Sequence, residues 1–287
     1  MRKENFKVIN YVCVILLILS FTACNGVKPP PKKEGIIAIV FADLTGSINE
    51  ETANKLKTNV KELFNNLPPQ SKFYLYSIDK GTSKPPIFEY VPVLPPIESA
   101  ADEYTANKKI EELGLRKANE ESARLQNALN VYYDSISKQK GAVSCLTNKL
   151  NILGDSVTNK SISYPNHELR IYFYSDMIED CENSFDGKPL NFERKPNDLQ
   201  EQAHADEINT RIEKNVSQLK KIRDLETKIH IILTSHDDKQ ELSKLKSIWA
   251  KLFNKFGYQL EDFNNDKYFY WDTANNKIIW EPRIESQ

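Results

Sequence analysis

The chain has 287 residues, and its 39 basic and 40 acidic side chains leave a net charge of −1. That balance argues against a nucleic-acid-binding domain, which usually carries a strongly basic footprint. The length suits one large α/β domain or two small ones, with enough chain to bury a core.

Arg2, Lys3 and Lys7 give a positive start, and Tyr11 through Leu19 run almost wholly apolar before small residues lead to Cys24. The run is too short for a mature bilayer span and has the layout of a secretory signal peptide. Phe21-Thr22-Ala23-Cys24 resembles the lipobox of bacterial lipoproteins. The resemblance implies removal of residues 1–23, lipidation of Cys24, and an exported cell-envelope protein held to a membrane by its lipid. Asn25 is not the aspartate associated with inner-membrane retention, which points to the outer membrane if the cell is Gram-negative. Residues 24–34, with Pro29 to Pro31 and several lysines, read as an extended, solvated tether.

From Gly35 onward the sequence reads as one domain reaching residue 287. Ile36 to Ala42 is a continuous apolar run with β-branched residues, as in a strand buried on both faces of a parallel sheet. Ala53, Leu56, Val60, Leu63 and Phe64 recur at helical spacing over 50–66, and Pro68 and Pro69 stop that helix. Phe73 to Ile78 predicts a second strand, and Ile87 to Val93 an edge strand flanked by prolines. Residues 102–140 are helical and charged, long for one crossover, and include an insertion. A short helical segment follows over 144–153. Leu169 to Ser175 is another buried strand, a helix covers about 198–225, and Lys228 to Leu233 is the next strand. An amphipathic helix over 238–256 precedes two short strand candidates, Tyr268 to Trp271 and Lys277 to Trp280. Strands alternating with helices at this spacing predict an α/β fold, a doubly wound and mostly parallel sheet with helices on both faces.

The chemistry concentrates in two loops. Asp43 follows the first buried strand, and Asp43, Thr45 and Ser47 alternate around Gly46, so three oxygen-bearing side chains can point to one side of a tight turn. Asp176 follows a later buried strand in the same way, preceded by Ser175. In open α/β sheets ligands bind beyond the carboxyl ends of the strands, where both loops lie. This pair of loops resembles the metal-ion-dependent adhesion site of the von Willebrand factor type A family, whose first loop reads Asp-x-Ser-x-Ser. The resemblance covers most of residues 35–256. It implies a strand order of 3-2-1-4-5-6 and a further hydroxyl ligand from a second loop, here Ser144, with Thr147 as the fallback. Thr45 departs from the pattern but keeps its hydroxyl.

The ligands so implied, Asp43, Thr45, Ser47, Ser144 and Asp176, would suit Mg2+ or Mn2+, hard cations that take oxygen donors. With few carboxylates around it, such an ion can accept an acidic side chain from a protein partner. The resemblance therefore implies metal-dependent protein binding rather than catalysis. Asp43 and Ser47 are also ordinary helix N-cap types, which leaves a metal-independent scaffold open. A magnesium-dependent phosphohydrolase resembling haloacid dehalogenases needs a second acid where Thr45 stands, so its general acid is missing.

Once residues 1–23 are removed and Cys24 is lipidated, Cys145 and Cys181 remain; they either form a disulfide in an oxidising compartment or stay as two buried thiols. Glu179, Asp180, Glu182 and Asp186 make the third loop acidic, either tuning a metal site or simply solvated. His167, His204 and His230 show no ligand spacing, and no P-loop, nucleophile elbow or dinucleotide fingerprint occurs.

Overall fold

The computed structural model describes residues 35–45, 49–79, 85–92, 100–137, 144–149, 167–184, 186–191, 206–208, 210–211, 228–233, 239–255, 259–265, 267–272 and 277–282. All of them lie in one compact unit, Lys33–Gln287. The expected signal segment, Cys24 and the whole of the expected tether lie outside the described residues, as do Ser47 and much of the helix expected over 198–225.

Strand β1 (Gly35–Ala42) is buried at every position, because its alternate side chains enter two separate cores. Ile37, Ile39 and Phe41 face one core, and Ile36, Ala38, Val40 and Ala42 face the other. A strand covered on both sides cannot alternate apolar with polar residues, which is why its sequence reads as an unbroken apolar run. It pairs in parallel with β2 (Lys72–Ser77) on one side and β4 (His167–Ser175) on the other. Beyond β4 lie β7 (Lys228–Leu233) and β8 (Gln259–Asn265), both parallel. The short β3 (Phe88–Tyr90) pairs antiparallel with β2 and closes the opposite edge. The six-stranded order is therefore β3-β2-β1-β4-β7-β8, a mostly parallel Rossmann-like sheet.

Helix α1 (Glu50–Asn66) begins where the Asn49 side chain accepts from Thr52 N at 2.8 Å, with Glu50 and Glu51 in its first turn, where acids favour the helix dipole. Its buried Leu56, Val60, Leu63 and Phe64 form one core layer with Leu125 and Leu129 of helix α3 (Ser122–Ser137). Helix α4 (Lys239–Lys255) covers the other face through Leu245, Trp249, Leu252 and Phe253. Helices thus lie on both faces.

The long helical stretch is divided. Helix α2 (Ala100–Arg116) runs into a π-helical turn, Lys117–Glu121, and then α3. At the π turn the buried Lys117 reaches the carbonyls of Leu67 and Asn65, at the end of α1, and lies over the Phe64 ring. Burial pushes its ammonium down to about 7.

Two small antiparallel pairs complete the described strands. Strand β5 (Asp180–Cys181) pairs with β6 (Leu190–Asn191), and β9 (Lys267–Asp272) with β10 (Lys277–Pro282). The two tail strands therefore pair with each other. The sequence QLEDFNN of β8 carries no clear alternation, and its strand character comes from pairing with β7.

Candidate functional site

Strands β1 and β4 are neighbours and run parallel, so their carboxyl ends open at one place. Their pairing continues past the last strand residue, with Asp43 N donating to Tyr174 O at 2.8 Å. This contact sets the Asp43 side chain beside Ser175. There a small cluster forms in which nearly every polar atom is buried.

Asp43 is only 1% exposed. Its Oδ1 accepts from Thr45 N at 3.1 Å and from Thr45 Oγ1 at 2.7 Å, which folds the loop into a tight turn over the carboxylate. Its Oδ2 accepts from Ser144 Oγ at 2.9 Å and Ser175 Oγ at 3.1 Å. The Thr45 and Ser144 hydroxyls lie 3.0 Å apart. Three hydroxyls, from the Asp43 loop, the Ser144 turn and the last residue of β4, thus surround one carboxylate. Burial raises the Asp43 pKa, and the donors from Thr45, Ser144 and Ser175 pull against that rise.

The donor set matches a hard divalent cation in kind. All its members are oxygens, one anionic and the rest neutral. Neighbouring ligands on an octahedral ion with bonds of about 2.0–2.1 Å lie roughly 3 Å apart. The distances among Asp43, Thr45 and Ser144 oxygens, 2.7, 3.0 and 2.9 Å, fall near that spacing. Among the described residues no group of three or more His, Cys, Asp or Glu side chains is placed to hold a metal, so any ion here would rest largely on hydroxyls.

Of the residues singled out from sequence, Asp43, Thr45 and Ser144 are brought together. Asp176 stands at the same strand end, half-buried, with its Oδ1 accepting from Ile178 N at 3.0 Å. Thr147, the fallback for Ser144, is directed elsewhere. Its hydroxyl and amide donate to Glu179, which also accepts from Leu146 N at 2.7 Å. Glu179 is fully buried, and it caps the helical turn that follows Ser144. Burial pushes its carboxyl up to about 8 although all three donors favour the ionised form. Its acidic neighbour Asp186 lies instead against Arg211, at 2.7 Å, which holds that carboxyl down at about 2.

Cys145 and Cys181 are joined as a disulfide, which ties the residue after Ser144 to the loop after Asp176. The same loops are joined by Asp180 N donating to Ser144 O at 3.0 Å and Asn148 Nδ2 to Asn183 O at 2.8 Å. Between Asp176 and Glu179 the chain turns at Met177, whose φ of 61° lies in the left-handed region that few non-glycine residues enter. Contacts on both sides hold it there. Its N–H donates to Ser175 Oγ at 3.0 Å, and its carbonyl accepts from Trp249 Nε1 at 2.9 Å. Trp249→Phe keeps an aromatic side chain but removes the indole N–H and part of the ring, so the buried carbonyl loses its donor and a small void opens. It is expected to cost about 2–4 kcal/mol in urea unfolding.

Sequence reasoning gave Ser175 no ligand role and left Glu179 undecided. A signal for Ser175 was present, since the residue before a strand-end acid lies against the neighbouring strand's own end residue. Glu179 had none, because an acid among acids reads as solvated. A second buried pair also escaped notice. Lys149, 1% exposed, reaches Asp79 Oδ1 at 3.4 Å, and Ser77 Oγ donates to Asp79 Oδ2 at 2.8 Å. It anchors the far end of the turn that starts at Ser144 to the end of β2.

No protein-family model matches the chain, and no curated protein matches it. Among solved structures, the crystal structure of the human COPII-coat protein Sec24c is similar at a TM-score of 0.39 and 10% identity. That likeness covers 78% of this chain and 29% of the other, and at this level it carries no argument about function.

Proposed function

We propose that the chain is a membrane-anchored, extracytoplasmic binding protein with a domain of the von Willebrand factor A type. On this reading Asp43, Thr45, Ser47, Ser144 and Asp176 hold Mg2+ or Mn2+, and the ion engages an acidic side chain of a protein partner. The observation that carries it is the convergence of three hydroxyls, from the Asp43 loop, the Ser144 turn and the last residue of β4, on one buried carboxylate at the joined ends of β1 and β4. A structural cap needs one such hydroxyl and does not need that carboxylate buried. The lipid anchor rests on the sequence around Cys24.

A second reading has its own support. Each oxygen of Asp43 already accepts two hydrogen bonds from the protein, as a scaffold without metal would require. Thermal unfolding of the full chain in EDTA, Mg2+ or Mn2+ separates the two. Metal that binds only the folded state stabilises it by about 2.7 kcal/mol at 100 times its Kd. The parent is expected to melt higher in Mg2+ or Mn2+, and Asp43→Ala and Asp176→Ala to abolish the rise. No shift in the parent at saturating millimolar metal would leave the scaffold reading, and turnover of a phosphoester would favour a phosphohydrolase.

A further inference from the structure

Ser144 contributes a hydroxyl to the Asp43 cluster, yet the segment carrying it is not a strand and is separated from β4 by residues 150–166. Something other than sheet pairing must hold it in place. Lys149 ties the far end of the segment to Asp79, and the contacts nearest Ser144 run to one partner, the loop after Asp176. Cys145, next to Ser144, is bonded to Cys181. Asp180 N donates to the carbonyl of Ser144 itself. Glu179 takes the amides of Leu146 and Thr147 and the Thr147 hydroxyl. Asn148 Nδ2 reaches Asn183 O. These contacts are buried or nearly so, and none of their side chains touches the Asp43 carboxylate.

We propose that Cys145, Cys181 and Glu179 are positioning residues that clamp Ser144 onto Asp43, making the site conditional on the disulfide. The inference rests on the metal-site reading above for its functional consequence, but the clamp itself does not need metal. An external dithiol that reduces the bond transfers two electrons and two protons, yielding two cysteine thiols and its own cyclic disulfide. The Ser144 segment then keeps only its hydrogen bonds to Glu179, Asp180 and Asn183 and the Lys149–Asp79 pair, and samples positions in which its hydroxyl leaves Asp43. Donor groups one step from a metal shell commonly change affinity by about 10–100-fold when lost.

The test uses the full chain in three forms: oxidised parent, parent reduced with a dithiol, and Cys145→Ser/Cys181→Ser. Glu179→Gln and Glu179→Ala accompany them, and far-ultraviolet circular dichroism checks that each form is folded. Two quantities are read: Mn2+ affinity by titration, and amide hydrogen exchange at Thr45, Leu146, Thr147 and Asp180 without metal. The reduced and double-serine forms are expected to bind Mn2+ about tenfold or more weakly and to exchange faster at all four amides. Strand amides of β1 and β4 should keep their protection. Glu179→Ala should behave likewise, and Glu179→Gln, which can still accept both amides, should stay close to the parent.

A folded double-serine form with parental Mn2+ affinity and parental exchange at Thr45 would overturn the clamp. If the oxidised parent binds no Mn2+, the metal reading fails, and exchange alone decides the clamp. Faster exchange at Thr45 on reduction then supports it, and unchanged exchange refutes it.

Discussion

Glu179→Gln is expected to flatten the loss of stability between about pH 5 and pH 8. The buried carboxyl titrates near 8 in the folded protein against a reference of 4.5, so across that window the folded state holds a proton that the unfolded state has released. Stability from this group is therefore complete below pH 4.5 and is lost as pH rises through about 8. At about 1.4 kcal/mol per unit, the window corresponds to roughly 4–5 kcal/mol. Glutamine keeps an acceptor for the Leu146 and Thr147 amides and offers its N–H to the Thr147 hydroxyl, so the variant loses the titration without losing the cap. Urea unfolding at intervals from pH 4 to pH 10 reads the difference.

Lys117 shapes the other limb with the opposite chemistry. Its ammonium titrates near 7 when folded, against 10.5, so between those values the unfolded state holds the extra proton. Stability from Lys117 rises with pH there. Together the two groups place a minimum between pH 7 and pH 8, where the acid is still mostly protonated, the lysine is already mostly discharged, and the two opposing slopes cancel. Lys117→Met should remove the alkaline rise while leaving the acid limb in place. A profile that stays flat from pH 5 to pH 8 in the parent would contradict the burial argument at Glu179.

Much of the fold was legible because its elements are locally consistent. The unbroken apolar run of β1 and the largely apolar runs of β4 and β7 state that both faces of the sheet are covered, and α1 and α4 declare their buried faces by spacing. What could not be read depends on partners distant in the chain. β8 is a strand because β7 presents a free edge to it. The π turn at Lys117 goes with a lysine that reaches the end of α1, fifty residues earlier. At the site, the strand-end positions of Asp43 and Asp176 were readable from alternation alone. The role of Ser175, the cap at Glu179 and the pairing of Cys145 with Cys181 were not, since each joins loops whose approach only the folded sheet decides. The acidic third loop shows the limit well. Glu179 and Asp186 look alike in sequence, yet one is buried against amides and the other lies beside Arg211, and their carboxyls move in opposite directions.

Asp43→Asn is expected to divide stability from binding. In the metal-free protein the Asp43 carboxylate is buried and surrounded only by neutral donors, and its pKa is raised by that burial. Above its folded pKa the parent therefore carries a desolvated charge that asparagine removes. The amide can still satisfy its neighbours. Its Oδ1 accepts from Thr45, and the Ser144 and Ser175 hydroxyls can rotate to accept from Nδ2. The variant should be more stable than the parent in EDTA at pH 7 by about 1–3 kcal/mol, and the gain should vanish below about pH 4, where the parent's carboxyl is neutral in both states. Saturating Mg2+ or Mn2+ should reverse the order, because the parent gains the binding energy and the neutral amide does not. The two melting curves would then cross as metal is added. A variant less stable than the parent in EDTA would show that the Asp43 charge serves the fold itself and not the binding of a cation. A variant that is more stable under every metal condition would mean that no cation ever offsets that charge.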